Sequence, residues 1–395
     1  MIETFLNIYQ IFSIFVLIII SLLICFEFFF RFVNFLKYKF FVKLITKESF
    51  FDKNYHKYLH WTNSWEKPMF YYFPTGLRFH NINNKITSVK YNKYGFRCDE
   101  FEKIKDLDDE YYKILFTGSS AGWGFGSSSD SSTISAYLEK FLNLNINKKF
   151  KVINLCQVNN TQTQDIQILS WLMPILKPNL VIHFGGWNEL IGSARIDLKY
   201  IRDYDMMPVD EMLDWVPIQA SNNAFTKMIE GLMIILKKKS IFFNFINKFF
   251  SNKKKTIEFK RSLKKNVELV SDVYNSNLQR LDKLIKSYNS KSLHVFQPNI
   301  FRKNNYSESE KKILKYYKNF YRSIGDEKDM DYLKENNIFK KIIELSDFKE
   351  LKIDTLDLSD VFINYEDACF HSLVHCNDKG YEIIAKKIFD FIRKT

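Results

Sequence analysis

Cysteine, glycine and proline are scarce in this chain, and each scarcity excludes something. Five cysteines in 395 residues are too few and too scattered to staple a disulfide scaffold. None forms the C-x-x-C pair that a zinc ribbon needs. Twelve glycines and seven prolines stand against 39 Phe and 22 Tyr, a bias of the kind an AT-rich genome produces, in which Lys accumulates as solvated surface. The net charge of +13 is therefore discounted as a partner signal: no nucleic-acid-binding module accompanies it, and nucleic acid is not an expected partner. With 46% hydrophobic and 26% charged residues, the chain fits neither wholesale disorder nor a polytopic membrane bundle.

Charge is missing altogether from residues 4–26, TFLNIYQIFSIFVLIIISLLICF. A helix of that length crosses a hydrocarbon core of about 30 Å. The stretch lacks the basic start and small-residue cleavage site of a signal peptide, and Phe28, Phe29 and Phe30 extend it. An uncleaved single-pass anchor over 4–30 is the expectation. Arg31, Lys37, Lys39, Lys43 and Lys47 follow it and favour a cytoplasmic flank, but long domains translocate regardless of such charges, so the membrane face stays open. Residues 31–47 mix apolar residues with Lys as an interfacial helix would, and residues 31–90 read as a juxtamembrane linker region.

Beyond the linker, short apolar runs alternate with amphipathic stretches, the pattern of a parallel α/β sheet. Strands are expected at 113–118, 151–156, 179–186 and 292–298, with a weaker one at 351–359. Helices are expected at 133–144 and 163–176, and the tail GYEIIAKKIFDFIRK should close the fold as a helix. Residues 195–290 break the rhythm and are expected to be a helical insertion. Within them, 227–255 is strongly apolar and basic, with Glu230 its only acid. It suits a helical hairpin packed on the core, a second membrane-surface contact or a lid.

Three segments carry chemistry. KILFTGSSAGWGFG turns from a strand through glycines into a helix, where a side chain and backbone N–H groups meet a developing anion. No Lys follows Gly122, so a phosphate loop is not expected. Gly118-Ser119-Ser120-Ala121-Gly122 matches G-x-S-x-G, but the α/β-hydrolase elbow follows several strands, and here the serine follows the first. Next, Gly186-Trp187-Asn188-Glu189 ends a buried strand, where open α/β sheets place ligand groups. Asn188 suits an oxyanion donor or a helix N-cap equally. Finally, His371 and His375 are spaced i, i+4, but no Cys/His cluster completes a metal site, and neither a metal nor a cofactor is expected.

In order, these pieces resemble the SGNH/GDSL hydrolase superfamily. Gly118-Ser119-Ser120 resembles its G-D-S block, Gly186-Trp187-Asn188-Glu189 its G-x-N-[DE] block, and HSLVH its D-x-x-H block. NLCQVNNTQ is a looser match to the second block, and YNKYGFR (91–97) resembles the lead-in of membrane-anchored bacterial members. The resemblance implies a three-layer α/β/α, flavodoxin-like parallel sheet over 91–395. It further implies Ser120 as nucleophile and His375 as base, with an oxyanion hole from the Ser120 and Asn159 N–H groups and the Asn188 amide. Gly118, Ser119, Trp187 and Glu189 are expected to line the substrate site. The sequence departs from the pattern at Ser372, where the family has its Asp. Asp367 folding back to His375 is one replacement, and a backbone carbonyl that holds the imidazole as a Ser–His dyad is another. The implied activity is an esterase or O-acyltransferase on acyl, foremost acetyl, esters of a cell-surface glycan. The alternatives are a lipid esterase, or a degenerate domain that binds acylated glycan or scaffolds an envelope assembly complex.

Overall fold

The computed structural model describes residues 2–46, 69–72, 77–80, 89–107, 110–158, 160–189, 263–323 and 353–394, with isolated positions at 228, 240, 242–243, 331, 333–335, 340–341 and 344. The chain divides into two compact units: 1–47 with 208–258, and 48–207 with 259–395.

In the first unit, α1 (Ile2–Thr46) is one continuous helix. Its Tyr9–Val33 stretch, of mean hydropathy 2.8 and unburied in the chain, is long and apolar enough to cross a membrane. Glu27 accepts hydrogen bonds from Ser240 Oγ (2.7 Å) and the Phe242 N–H (3.1 Å). It also pairs with Arg31 one turn on, at 2.8 Å, while the Phe242 ring stacks on Phe26 at 5.1 Å. The rest of 227–255, apart from 228, 240 and 242–243, lies outside the described residues.

The second unit is built on five parallel strands: β3 (Tyr111–Gly118), β4 (Lys149–Asn154), β5 (Leu180–Gly185), β6 (Lys291–Phe296) and β7 (Asp354–Asp357). A separate antiparallel hairpin precedes them, β1 (Met69–Tyr72) with β2 (Leu77–His80), inside the stretch expected to be linker. All five expected strands form. In space they run β4-β3-β5-β6-β7, the flavodoxin-like order with its topological switch between the first and third strands, here β3 and β5. Residues 114–118 of β3 and all of β5 are buried, which explains why both read as unbroken apolar runs rather than alternating ones.

Helices cover the sheet. α2 (Phe101–Lys105) leads into it, and β3 runs on into the one-turn α3 (Ser120–Trp123). α4 (Ile134–Asn145) starts at Thr133, whose hydroxyl accepts from the Ala136 N–H at 3.2 Å, a standard N-cap. It packs against the closing helix α8 (Asp378–Ile392). α5 (Gln162–Leu176) ends at Lys177 in left-handed conformation, just before Pro178, and packs against α6 (Leu263–Ser287). The expected insertion is thereby shortened at its C-terminal side. Tyr274, Leu278, Leu281 and Ile285 of α6 are buried in the core, a spacing of four, three and four residues that lays one face on the sheet. α6 is thus the crossover helix entering β6, after which α7 (Glu308–Ser323) follows.

The YNKYGFR segment has a structural task in this unit. Asn92 Oδ1 accepts from the Tyr94 and Phe96 N–H groups, both at 3.0 Å, folding a tight turn. That turn buries Arg97, whose Nε meets Asp130 at 2.8 Å and whose Nη1 donates to the Trp123 and Gly124 carbonyls at 3.1 Å. The guanidinium also lies over the Trp123 ring, 4.6 Å from its centroid. Arg97 therefore closes the C-terminal end of α3, the turn that begins with Ser120.

Candidate active site

The site lies at the C-terminal ends of β3 and β5, on either side of the switch. Gly118 sits opposite Phe184 in register, so Ser120, two residues on, and Asn188, four residues past Phe184, emerge at one edge. Gly118 has φ of +144°, and a Cβ there would lie 2.0 Å from the Phe184 carbonyl oxygen. The close pass lets β3 turn sharply into α3. Gly118→Ala is expected to destabilise the fold by about 3 kcal/mol or more, read as a lower midpoint in urea; an unchanged midpoint would contradict this account of the turn.

Ser120 Oγ is 2.8 Å from His375 Nε2. His375 arrives from the other end of the domain, on the 369–376 loop before α8. That loop is held by Glu310, which accepts from the Cys369 N–H at 2.9 Å and the Phe370 N–H at 3.3 Å while pairing with Lys303 at 2.6 Å. The Lys303–Glu310 pair is wholly buried, and Lys303 Nζ also donates to the Asp367 carbonyl. Asn377 caps α8, its Oδ1 accepting from the Gly380 N–H at 2.9 Å.

On the other side of the imidazole, Nδ1 meets Ser372 Oγ at 2.7 Å. This corrects the expectation for Asp367, which is exposed and reaches the loop only through its backbone carbonyl. Ser372 Oγ already accepts from the His375 N–H at 3.1 Å and the Val374 N–H at 3.4 Å. A hydroxyl both donates and accepts, so Ser372, unlike an aspartate, does not force the proton onto Nδ1. The His375 ring lies 4.5 Å from that of Phe125. Burial, aided by the nearby His371, pushes the His375 pKa down to about 3.

That depression has a consequence for stability. Once unfolded, His375 regains an ordinary pKa near 6.5, so between pH 6.5 and about 3 the unfolded chain binds the extra proton. Stability is therefore full above pH 6.5 and is lost as pH falls, by up to about 1.4 kcal/mol per unit from this one group. His294, also buried and held well below the ordinary value, adds in the same sense. We expect Tm to drop between pH 7 and 5, with a shallower drop in His375→Gln; a parallel drop in both proteins would refute the assignment to His375.

Asn188 is buried, and its Nδ2 donates to the Asn160 carbonyl at 2.8 Å. An amide nitrogen carries two protons, so one is left for another acceptor. Asn159, the other expected donor, lies outside the described residues. Glu189, expected at the substrate site, has a structural task. Its two carboxylate oxygens accept from the Gln162 N–H at 2.8 Å and the Gly186 N–H at 3.0 Å. It ties the start of α5 to the turn after β5, and burial raises its pKa. Trp187 is buried against Phe301, with ring centroids 6.2 Å apart, and Ser119 is buried as well. Gly118 is pressed on Phe184. Among the described residues no cluster of three or more His, Cys, Asp or Glu is arranged to hold a metal ion.

No family model matches the sequence, and neither does any curated protein. Among solved structures, the chain is similar to the acetyl xylan esterase AlAXEase, at 15% identity over 71% of this chain and 99% of that one, TM-score 0.34. It is similar to the acetylxylan esterase Axe2 of Geobacillus stearothermophilus, at 14% identity over 71% and 94%, TM-score 0.36. A third is a GDSL-like lipase of Bacteroides thetaiotaomicron, at 13% identity over 74% and 95%, TM-score 0.35.

Proposed function

We propose that this protein is a serine esterase that works through a Ser120–His375 pair, is anchored in a membrane by α1, and acts on acyl esters of a cell-surface glycan. One observation carries the reading: the 2.8 Å contact between Ser120 Oγ and His375 Nε2, made at the switch point of the sheet. In the reaction, Ser120 Oγ attacks the ester carbonyl carbon as its proton passes to His375 Nε2. The carbonyl oxygen takes up the negative charge, received by the Ser120 and Asn159 N–H groups and the free Asn188 amide proton. Collapse of this intermediate breaks the bond to the alkoxy oxygen, which leaves with the proton from His375. A water then attacks the acyl-serine as its proton passes to His375; the acyl–Oγ bond breaks, Ser120 Oγ takes that proton back from His375, and the carboxylic acid is released. A sugar hydroxyl in place of that water makes the same site an O-acyltransferase.

The glycan and the acetyl preference rest on the resemblance to membrane-anchored superfamily members and on an anchor that would keep the site near an envelope surface. The test is fluorophosphonate labelling of the full chain in detergent, with peptide mapping, beside hydrolysis of p-nitrophenyl acetate and p-nitrophenyl palmitate. Label on Ser120 with acetate preferred supports the reading, whereas palmitate preference favours a lipid esterase. Ser372 at the Asp position favours a second reading, a degenerate domain that binds acylated glycan. It gains if a folded wild type neither labels nor turns over ester yet binds acetylated glycan.

A further inference from the structure

Glu27 is the first side-chain charge after the 23 uncharged residues 4–26. At 1.5 Å per residue those span about 34 Å, slightly more than a hydrocarbon core of about 30 Å. Glu27 therefore marks the level at which acyl chains give way to headgroups. A carboxylate at that depth is costly unless it is paired, and both oxygens of Glu27 are engaged. Oε1 pairs with Arg31 Nε at 2.8 Å. Oε2 accepts from Ser240 Oγ at 2.7 Å and from the Phe242 N–H at 3.1 Å. These last two donors come from the insertion between β5 and α6.

The insertion is shaped to meet the helix at this point. Phe242 and Phe243 are helical, and Ser240 Oγ accepts from the Phe243 N–H at 2.9 Å, capping the start of that turn. The same hydroxyl donates to Glu27, so one side chain both caps the turn and fixes it to α1. Phe242 lies on two rings that are one turn apart on α1: Phe26, at 5.1 Å with planes within 8°, and Phe30, at 5.7 Å. Phe26 is exposed in the chain, as are Leu22 and Leu23 on the turn before it. The surrounding sequence supplies what a lipid boundary selects. Lys237, Lys238 and Lys239 directly precede Ser240, and 227–255 holds eight Lys against one acid, Glu230. Such Lys are drawn to anionic headgroups, while the Phe side chains between them favour the acyl boundary.

We propose that the insertion is a second membrane contact: Ser240, Phe242 and Phe243 dock on α1 at the bilayer boundary, held there by the Glu27 carboxylate, and meet lipid beside the anchor. The inference rests on the reading of α1 as a membrane anchor. The segment that leaves the sheet just beyond Asn188 and returns as α6 is thereby fastened to the membrane partway along.

The experiment uses the full chain in vesicles of phosphatidylcholine and phosphatidylglycerol, doped with a phosphatidylcholine that carries a diazirine on its acyl chain. After irradiation, trypsin cuts at Arg31, Lys239 and Lys248, releasing residues 1–31 of the anchor and 240–248 of the insertion. Carbene adducts are expected on both peptides and on neither β5 nor β6. Adducts on 1–31 with none on 240–248 would overturn the proposal; that is the result expected of a hairpin packed on the core or of a lid. No adducts on either peptide would defeat the anchor reading itself, and the second contact with it. Glu27→Leu makes the span more apolar and removes the docking carboxylate. It should lower the yield on 240–248, relative to that on 1–31, about 5-fold, whereas Glu27→Gln, which keeps an acceptor oxygen, should stay within about 2-fold of wild type. Equal relative yields in wild type and Glu27→Leu would overturn the docking on Glu27.

Discussion

Ser372→Asp is expected to raise kcat for ester hydrolysis, by about 10- to 10³-fold. The hydroxyl that meets His375 Nδ1 at 2.7 Å can serve as donor or acceptor. When it donates, Nδ1 is the acceptor and the proton sits on Nε2, the nitrogen that must be bare to take the Ser120 proton. A carboxylate only accepts at neutral pH, and so holds the proton on Nδ1. In the serine-protease template, replacing that Asp by its neutral isostere lowers kcat about 10⁴-fold, largely through the wrong tautomer, which bounds what can be regained. The same carboxylate stabilises the imidazolium formed as Ser120 attacks. It would also lift the His375 pKa from its depressed value of about 3, because an adjacent negative charge favours the protonated ring. Two readouts therefore move together: kcat rises at pH 7, and the acid limb of kcat/KM, far below 6.5 in the wild type, shifts upward. Ser372→Asn, of similar shape and uncharged, should give neither. A Ser372→Asp protein that folds but gains no rate would show that Ser372 is not what limits the base.

Much of this arrangement was legible in the sequence, and the parts that were not share a physical cause. The strands showed because most are buried on both faces, so that residues 114–118 and 180–185 read as apolar runs with no alternation to decode. Ser120 and His375 showed because each sits where a strand or loop enters a helix, a junction marked by glycines and by the Asn377 cap. Crossover helix α6 carried a clear apolar period in Tyr274, Leu278, Leu281 and Ile285, but it lay within a stretch whose charge and length suggested an insertion. For the orienting partner of His375 the sequence offers Asp367 or a backbone carbonyl. That Ser372 reaches Nδ1 depends on a turn closed by the His375 N–H bonding back to its hydroxyl, a contact between residues three apart that composition does not display. The structural task of Glu189 is hidden too, because its two backbone partners, Gln162 and Gly186, come from a separate helix start and a turn.

Loss of the nucleophile should be milder here than in an intact triad, and this separates the proposed dyad from other arrangements. Triad members act as a unit. In subtilisin, removing Ser or His alone costs about 2 × 10⁶ in kcat, whereas removing Asp alone costs about 3 × 10⁴. A site that already lacks the carboxylate has forgone most of that advantage, and by the ratio of those losses Ser120→Ala should lower kcat only about 10²-fold. The remaining rate comes from the oxyanion donors and from substrate positioning, with water attacking directly. In the Ser372→Asp background the same Ser120→Ala change should cost a further factor of about 10 to 10³, the rate that the carboxylate restores, as the nucleophile and base regain their coupling. The two effects are thus strongly non-additive, and four proteins assayed on p-nitrophenyl acetate measure the coupling in one cycle. Equal losses in the two backgrounds would mean that position 372 does not act through Ser120 and His375. No loss on removing Ser120 from either would mean that the ester is cleaved elsewhere, and would defeat the serine esterase reading itself.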